Sequence, residues 1–233
     1  MDQNFTDLET VDASTLYSHP LAKSLLSKVY AWMAVSMLLT AGVAIWTTHS
    51  SELLLWTEDH MLLIALGTIG VVLLMAFCQG ILTAGALGVL LLVYAGLVGL
   101  LFGPILLLYT QASLGLTFAC TAGTFGAMSL YGALTKRDLS PWGRMLFMLL
   151  LGIIICFIVN YFWGNGLFDL IVSAVGVVIF SLFTAYDTQN ILRAGLVLEG
   201  EERAKGAVIG ALALYLDFIN LFFLLLRFLG DRR

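Results

Sequence analysis

The chain has 233 residues, 61% of them hydrophobic and 11% charged, with a formal net charge of −4 and a mean hydropathy of +1.00. Soluble domains carry about a quarter charged residues, so a soluble fold is excluded, and continuous Leu/Val/Ile/Ala/Gly/Phe runs in place of short alternating segments exclude a β-barrel. The chain reads as an all-α polytopic membrane protein whose first partner is the lipid bilayer; with no basic patch interleaved with aromatics, nucleic acid is not a partner.

Residues 1–28 are polar and acidic, with Asp2, Asp7, Glu9 and Asp12 ahead of Lys23 and Lys28. No basic stretch followed by an apolar run marks a cleaved signal peptide, and the segment reads as a cytoplasmic tail before a transmembrane domain at 29–230. The first span runs from Val29 to Thr47 and ends at an acidic loop holding Glu52, Glu58 and Asp59. From Met61 to Thr135 there is no Asp, Glu, Lys or Arg. Three helices of roughly 25 residues fit that length, with turns at Gln79-Gly80 and from Gly103-Pro104 through "YTQAS" (109–113).

"TKRDLSPWGR" (135–144) is a charged loop, and Met145 to Trp163 the fifth span. "GNGLFD" (164–169) is a turn, with Asp169 placed to favour a helix N-terminus. Leu170 to Leu192 is the sixth span, "RAGLVLEGEERAK" (193–205) a polar connection, and Gly206 to Leu226 the seventh. Cys78, Cys120 and Cys156 fall in apolar runs without metal or redox spacing and read as small buried hydrophobes.

Lys and Arg mark the cytoplasmic side. They occur at Lys23, Lys28, Lys136, Arg137, Arg144, Arg193, Arg203 and Lys205, while the loops after spans one, three and five contain none. Seven spans with the N-terminus inside reproduce this alternation. Arg227, Arg232 and Arg233 break it if the seventh span crosses fully. Full crossing is the expectation, and a re-entrant last helix the alternative.

Two carboxylates interrupt the last two spans: Asp187 in "SLFTAYDTQN" (181–190) and Asp217 in "ALYLDFINLF" (211–220). An ionised Asp at a helix centre costs about 2.5–3.5 kcal/mol on insertion scales, so both are expected to face the bundle interior. The midpoint between them is residue 202, within the connection, which brings the two side chains level on adjacent helices. Thr184, Asp187 and Asn190 share one helical stripe, as do Asp217 and Asn220.

Two carboxylates side by side in low dielectric cannot easily both ionise, and they hold one proton between them. Protonated, the pair clasps two helices together. Deprotonated, it repels itself and offers oxygens to a hard cation such as Ca²⁺. A plain structural staple is the alternative. Intramembrane proteolysis would require a motif such as Gly-x-Gly-Asp that neither "TAYDTQ" nor "LYLDFI" provides, and no Gly-x-Ser-x-Gly or Ser/Lys pairing suggests nucleophilic catalysis. The chain is not expected to be an enzyme.

"FTAYDTQNI" (183–191), "ALALYLDFINLFFLLLRFLG" (211–230) and "YGALTKRDLS" (131–140) closely resemble the bacterial branch of the Bax inhibitor-1 family, also called transmembrane Bax inhibitor motif proteins. The resemblance runs from about residue 28 to the end. It implies a seven-helix fold with the last helix near the bundle centre, in the inner (plasma) membrane. It further implies a proton-sensitive Ca²⁺ leak, a stress-protective role, and Asp187 and Asp217 as the family's paired aspartates. Some members place a basic residue near the second helix that pairs with the aspartates. This chain has no Lys or Arg between Lys28 and Lys136 and holds Gln79 in that region, so such a latch is absent or replaced by neutral hydrogen bonds.

The functional expectation is a cation leak gated by protonation of Asp187 and Asp217, with Thr184, Asn190, Asn220 and Gln79 as supporting polar groups. The rival is a non-conducting scaffold that modulates another membrane complex, such as a protease.

Overall fold

A computed structural model describes residues 18–231. Among the described residues eight helices follow one another: α1 (Pro20–His49), α2 (Ser51–Asp59), α3 (Met61–Cys78), α4 (Ala84–Leu108), α5 (Gln111–Leu134), α6 (Trp142–Trp163), α7 (Gly166–Val197) and α8 (Gly200–Leu229). All but α2 are long and apolar enough to cross a membrane. The described residues contain no strand. With no water in a bilayer core, helices satisfy every backbone group within the segment.

The ends follow local chemistry. Pro20 sits at the first turn of α1, where its missing N–H is no loss, and the His19 side chain accepts from Leu21 N–H. The helix therefore starts nine residues before the expected span, and Ala22, Leu25 and Leu26 within the segment read as tail are buried. The acidic part of that tail, 1–17, lies outside the described residues. The loop expected after the first span is largely helical: Ser50 caps α2 through Leu53 N–H. Thr83 and Thr110 cap α4 and α5 in the same way. Gly164, with φ 64°, ends α6 in the left-handed conformation that glycine adopts without strain.

The C-terminal hairpin is tighter than expected. Only Leu198 and Glu199 separate α7 from α8, so much of the connection read at 193–205 is helix. The first turn of α8 ties one end of the bundle together. Glu201 accepts from Ala84 N–H at the start of α4 (2.7 Å). Arg203 donates to the carbonyls of Gly195 and Leu198 at the end of α7, and to Leu21 O on α1. A cation on helix C-terminal carbonyls is favoured by the dipole as well.

Helix α8 packs against α1, α4, α5 and α7. In its apolar stretch 67% of residues are buried, against 11–39% in the other six spans. Two hydroxyl contacts fasten the bundle internally. Thr40 Oγ1 lies 2.9 Å from the carbonyls of Ser36 and Ala95 and 2.7 Å from Tyr215 Oη; its one proton goes to a carbonyl, so Tyr215 is the donor to Thr40. Likewise Thr188 donates to Thr184 O, Ser129 to Thr188, and Tyr30 to Ser129, a chain linking α1, α5 and α7.

Helix α8 runs the length of the bundle, as expected for full crossing, and does not turn back. Asp231 O accepts from Thr110 N–H (3.1 Å), which places the end of α8 beside the α4–α5 turn and opposite the hairpin.

A buried acidic pair between two cavities

Helices α7 and α8 deliver Asp187 and Asp217 to one level. Gly206 lies against Leu198, Gly210 against Ile191 and Gly176 against Leu224. These facing positions have midpoints at residues 200–202, the register that pairs 187 with 217. Helix α5 closes on α7 beside the pair because position 132 is glycine: a Cβ there would collide with the Ala185 carbonyl, two residues before Asp187.

The two carboxyl groups are within hydrogen-bonding reach of each other. Ionised carboxylates only accept, so this contact is a bond only while one of them carries a proton. Asp217 is 4% exposed, and its Oδ2 is buried with no N–H or O–H donor from the rest of the protein. An ionised pair therefore leaves an orphaned oxygen in a dry interior, whereas a shared proton gives the two groups a bond.

Two cavities meet at Asp187. The wider, about 850 Å³, runs between α3 and α6 over α7 and α8, and reaches from Asp187, Asp217 and Asn220 to Arg227 and Asp169. The narrower, about 430 Å³, lies toward the hairpin and is lined by Asp187, Asn190, Gln79, Glu202 and Lys205. Asp187 is common to both, and Asp217 faces the wider one.

The supporting residues divide accordingly. Asn220 Nδ2 donates to Leu216 O (2.8 Å) on the wide side. Gln79 sits on the rim of the narrow cavity, its Nε2 donating to Ala76 O. Thr184 is buried, and its hydroxyl donates to Phe180 O within α7. Thr184 therefore supports the helix that carries Asp187 through its backbone.

A family profile described as inhibitor of apoptosis-promoting Bax1 matches residues 22–233. The chain belongs to the Bax inhibitor-1 family. Among curated relatives of this Bax inhibitor-1 chain, the inner membrane protein YbhL of Escherichia coli K12 is 41% identical over 214 residues, spanning 89% of the present chain and 92% of its own. A Deinococcus radiodurans protein is 38% identical over 212 residues, covering 91% of each chain. A Rickettsia prowazekii protein is 37% identical over 230 residues, covering 97% of each.

Several residues of this family member escape a reading of the sequence. Lys205, on α8, lines the narrow cavity with Asp187 and pairs with Glu202 at 3.0 Å. A basic group thus stands in that cavity although the second span carries none. Gln189, 1% exposed, accepts from Leu139 N–H (2.8 Å) and donates to Arg137 O (3.0 Å), pinning the α5–α6 loop to α7 two residues beyond Asp187. Arg193 adds Asp138 at 2.6 Å and the Ser140 hydroxyl. The "DTQN" block carries the signal: a glutamine two positions past Asp187, on a buried helix, must find partners.

Among the described residues no group of three or more His, Cys, Asp or Glu side chains is placed to hold a metal ion; Asp187 and Asp217 contribute two carboxyl groups toward the six to eight oxygens that Ca²⁺ takes.

Proposed function

We propose that this protein is a pH-gated cation leak, with Ca²⁺ as a permeant ion. The observation that carries the reading is the place of the acidic pair: two carboxyl groups in mutual reach where two cavities meet, one of them exposed to both. While the pair keeps a proton, its hydrogen bond clasps α7 to α8 and separates the cavities. When the proton leaves, two like charges in low dielectric repel. The helices part, the cavities join, and carboxylate oxygens replace some of the water on a passing cation. Flux accordingly rises with pH.

The leak would lie in an inner membrane with the N-terminus in the cytoplasm. Lys23, Lys28, Lys136, Arg137, Arg144, Arg193, Arg203 and Lys205 fall toward one end of the bundle, in keeping with the preference of basic loops for the cytoplasm. A stress-protective role would follow from slow release of a cation gradient.

Liposomes loaded with a Ca²⁺-sensitive dye provide the test. Protein-dependent flux that grows as pH rises, and that responds to replacement of either aspartate, is the expected result. Flux no greater than that of empty liposomes at every pH, from protein whose helical content and unfolding temperature are intact, would instead make this chain a scaffold for another membrane complex.

A further inference from the structure

The wider cavity has an unusual division of polarity. Its lips are lipid-facing side chains of α3 and α6, with Ile69 55%, Leu73 48% and Ile154 45% exposed. Helix α3 packs on α4 and α6 on α7, so the space between them is a groove along the membrane face. Its floor is acidic: Asp187 and the 4% exposed Asp217, whose carboxyl groups lie within hydrogen-bonding reach of each other. Its other charged groups, Asp169 and Arg227, already satisfy each other at 2.7 Å at the far end.

We propose that the groove between α3 and α6 is a binding site for an amphiphilic ammonium ion, its nitrogen on Asp187 and Asp217 and its apolar chain lying between the two lips. The charges balance: a carboxyl pair that keeps one proton bears a single negative charge, which one ammonium neutralises. The geometry also fits. An ammonium has three donors and no acceptor, and Asp187 and Asp217, which line the cavity together, offer only acceptor oxygens beyond the proton they share. From Asp217 to Arg227 the groove is roughly 15 Å long, ten residues of helix at about 1.5 Å each, space for a chain of about ten carbons. Phe180, Phe183, Phe223 and Tyr94 also line it, and aromatic rings near a cation add attraction.

Because lipid tails are as apolar as the groove, the chain sets the ligand's place and the charged head supplies the preference. Hydrogen bonds to charged groups favour the amine over a neutral alcohol of equal length by about tenfold or more. The proposal uses the same aspartates as the leak reading, but binding is measured without flux, so either can fail while the other stands.

The probe is decylamine carrying a photoreactive diazirine on its terminal carbon, added to protein in nanodiscs of zwitterionic lipid. Labelling is expected toward the Arg227 end of the groove, near Thr68 and Ile69 on α3 and Asn160 and Tyr161 on α6. Excess plain decylamine should lower it at least about tenfold, while excess decanol should not. Ile69→Trp, which fills the groove and leaves both carboxylates in place, should abolish the competable labelling, as should Asp217→Asn. Equal competition by amine and alcohol, labelling spread evenly over the lipid-facing helices, or competable labelling that survives Ile69→Trp would overturn the assignment.

Discussion

Arg227 Nη1 lies 2.7 Å from Asp169 Oδ1, joining the end of α8 to the first turn of α7 across 58 residues of sequence. Arg227 stands apart from the other described Lys and Arg residues, at the opposite end of the bundle. The ion pair, together with the Phe157 ring 5.0 Å from the guanidinium carbon, explains how the last helix crosses fully with a basic residue on the side that the charge rule disfavours. The pair is partly exposed, with side chains 43% and 28% accessible, so its coupling is about 0.5 kcal/mol. The two partners are not equivalent. Asp169 also serves the α7 dipole, worth about 0.3–1 kcal/mol, and lies 3.5 Å from Asn160 Nδ2. Asp169→Ala is therefore expected to lower the unfolding temperature more than Arg227→Ala. A double-mutant cycle in detergent should return the small coupling, and salt should reduce it.

Asp187→Asn tests the clasp directly. An asparagine at 187 keeps a donor toward Asp217 at every pH, imitating the protonated pair. The expected result in dye-loaded liposomes is low flux with no response between acid and mildly alkaline pH. Asp187→Ala removes both the donor and the charge, so its flux should also lose pH dependence while its stability falls, because Asp217 is left buried without a partner, a loss of about 1–3 kcal/mol or more. A pH response as steep as that of the unaltered protein in Asp187→Asn would remove the pair from the gate.

Gly132 sets the spacing of α5 and α7 at the level of the pair. A side chain there meets backbone, not the flexible end of another side chain, so the helices themselves must separate. Gly132→Val is expected to cost about 1–3 kcal/mol by overpacking, and to weaken the Tyr30–Ser129–Thr188 hydroxyl chain that the same approach permits. Thermal unfolding in detergent would show the loss. Gly123, with open space around it, is the control, and its replacement by alanine should leave stability within about 0.5 kcal/mol.

The spans and the acidic pair are readable in the sequence for one physical reason: lipid imposes a strong contrast on every residue that meets it. Asp187 and Asp217 stand out because a carboxylate in an apolar run needs an explanation, and the hairpin midpoint sets their register. That contrast fades at the ends. Pro20 begins α1 and Ser51–Asp59 is helical, although both segments are polar enough to read as tail or loop. The hairpin turn shrinks to two residues because Glu201 and Arg203 bond to α4, α1 and α7, partners that no local pattern reveals. Asp169 and Arg227 each attract notice alone, one as a helix-end acid and the other as an exception to the charge rule. Only the fold shows that each resolves the other.

Gln189 holds the α5–α6 loop with both ends of its amide. Gln189→Ala would leave the Leu139 N–H and the Arg137 carbonyl without that partner, and Leu139 is 1% exposed. A loss of about 2–3 kcal/mol is expected, visible as faster hydrogen exchange at residues 136–141. Gln189→Glu should fall between, since a carboxylate still accepts from Leu139 N–H but no longer donates to Arg137 O.

The same loop carries a pH-dependent anchor outside the apolar spans. The Ser140 N–H donates to Asp138 Oδ1 at 2.8 Å, and this bond, followed by those from Arg193 and the Ser140 hydroxyl, holds the Asp138 carboxyl below its ordinary range. A carboxylate whose folded value is depressed stabilises the fold above its unfolded value, about 3.9, and the contribution disappears as pH falls through the folded value. Exchange at residues 136–141 should thus be unaffected by acidification down to about pH 5, once corrected for intrinsic exchange rates, and should accelerate below about pH 4. Asp138 is largely exposed, its side chain 59% accessible, so the effect is local and small, and salt should weaken the Arg193 part of it. Asp138→Asn should exchange faster at neutral pH and lose the acid step. If the step persists in that variant, the anchor is elsewhere in the loop.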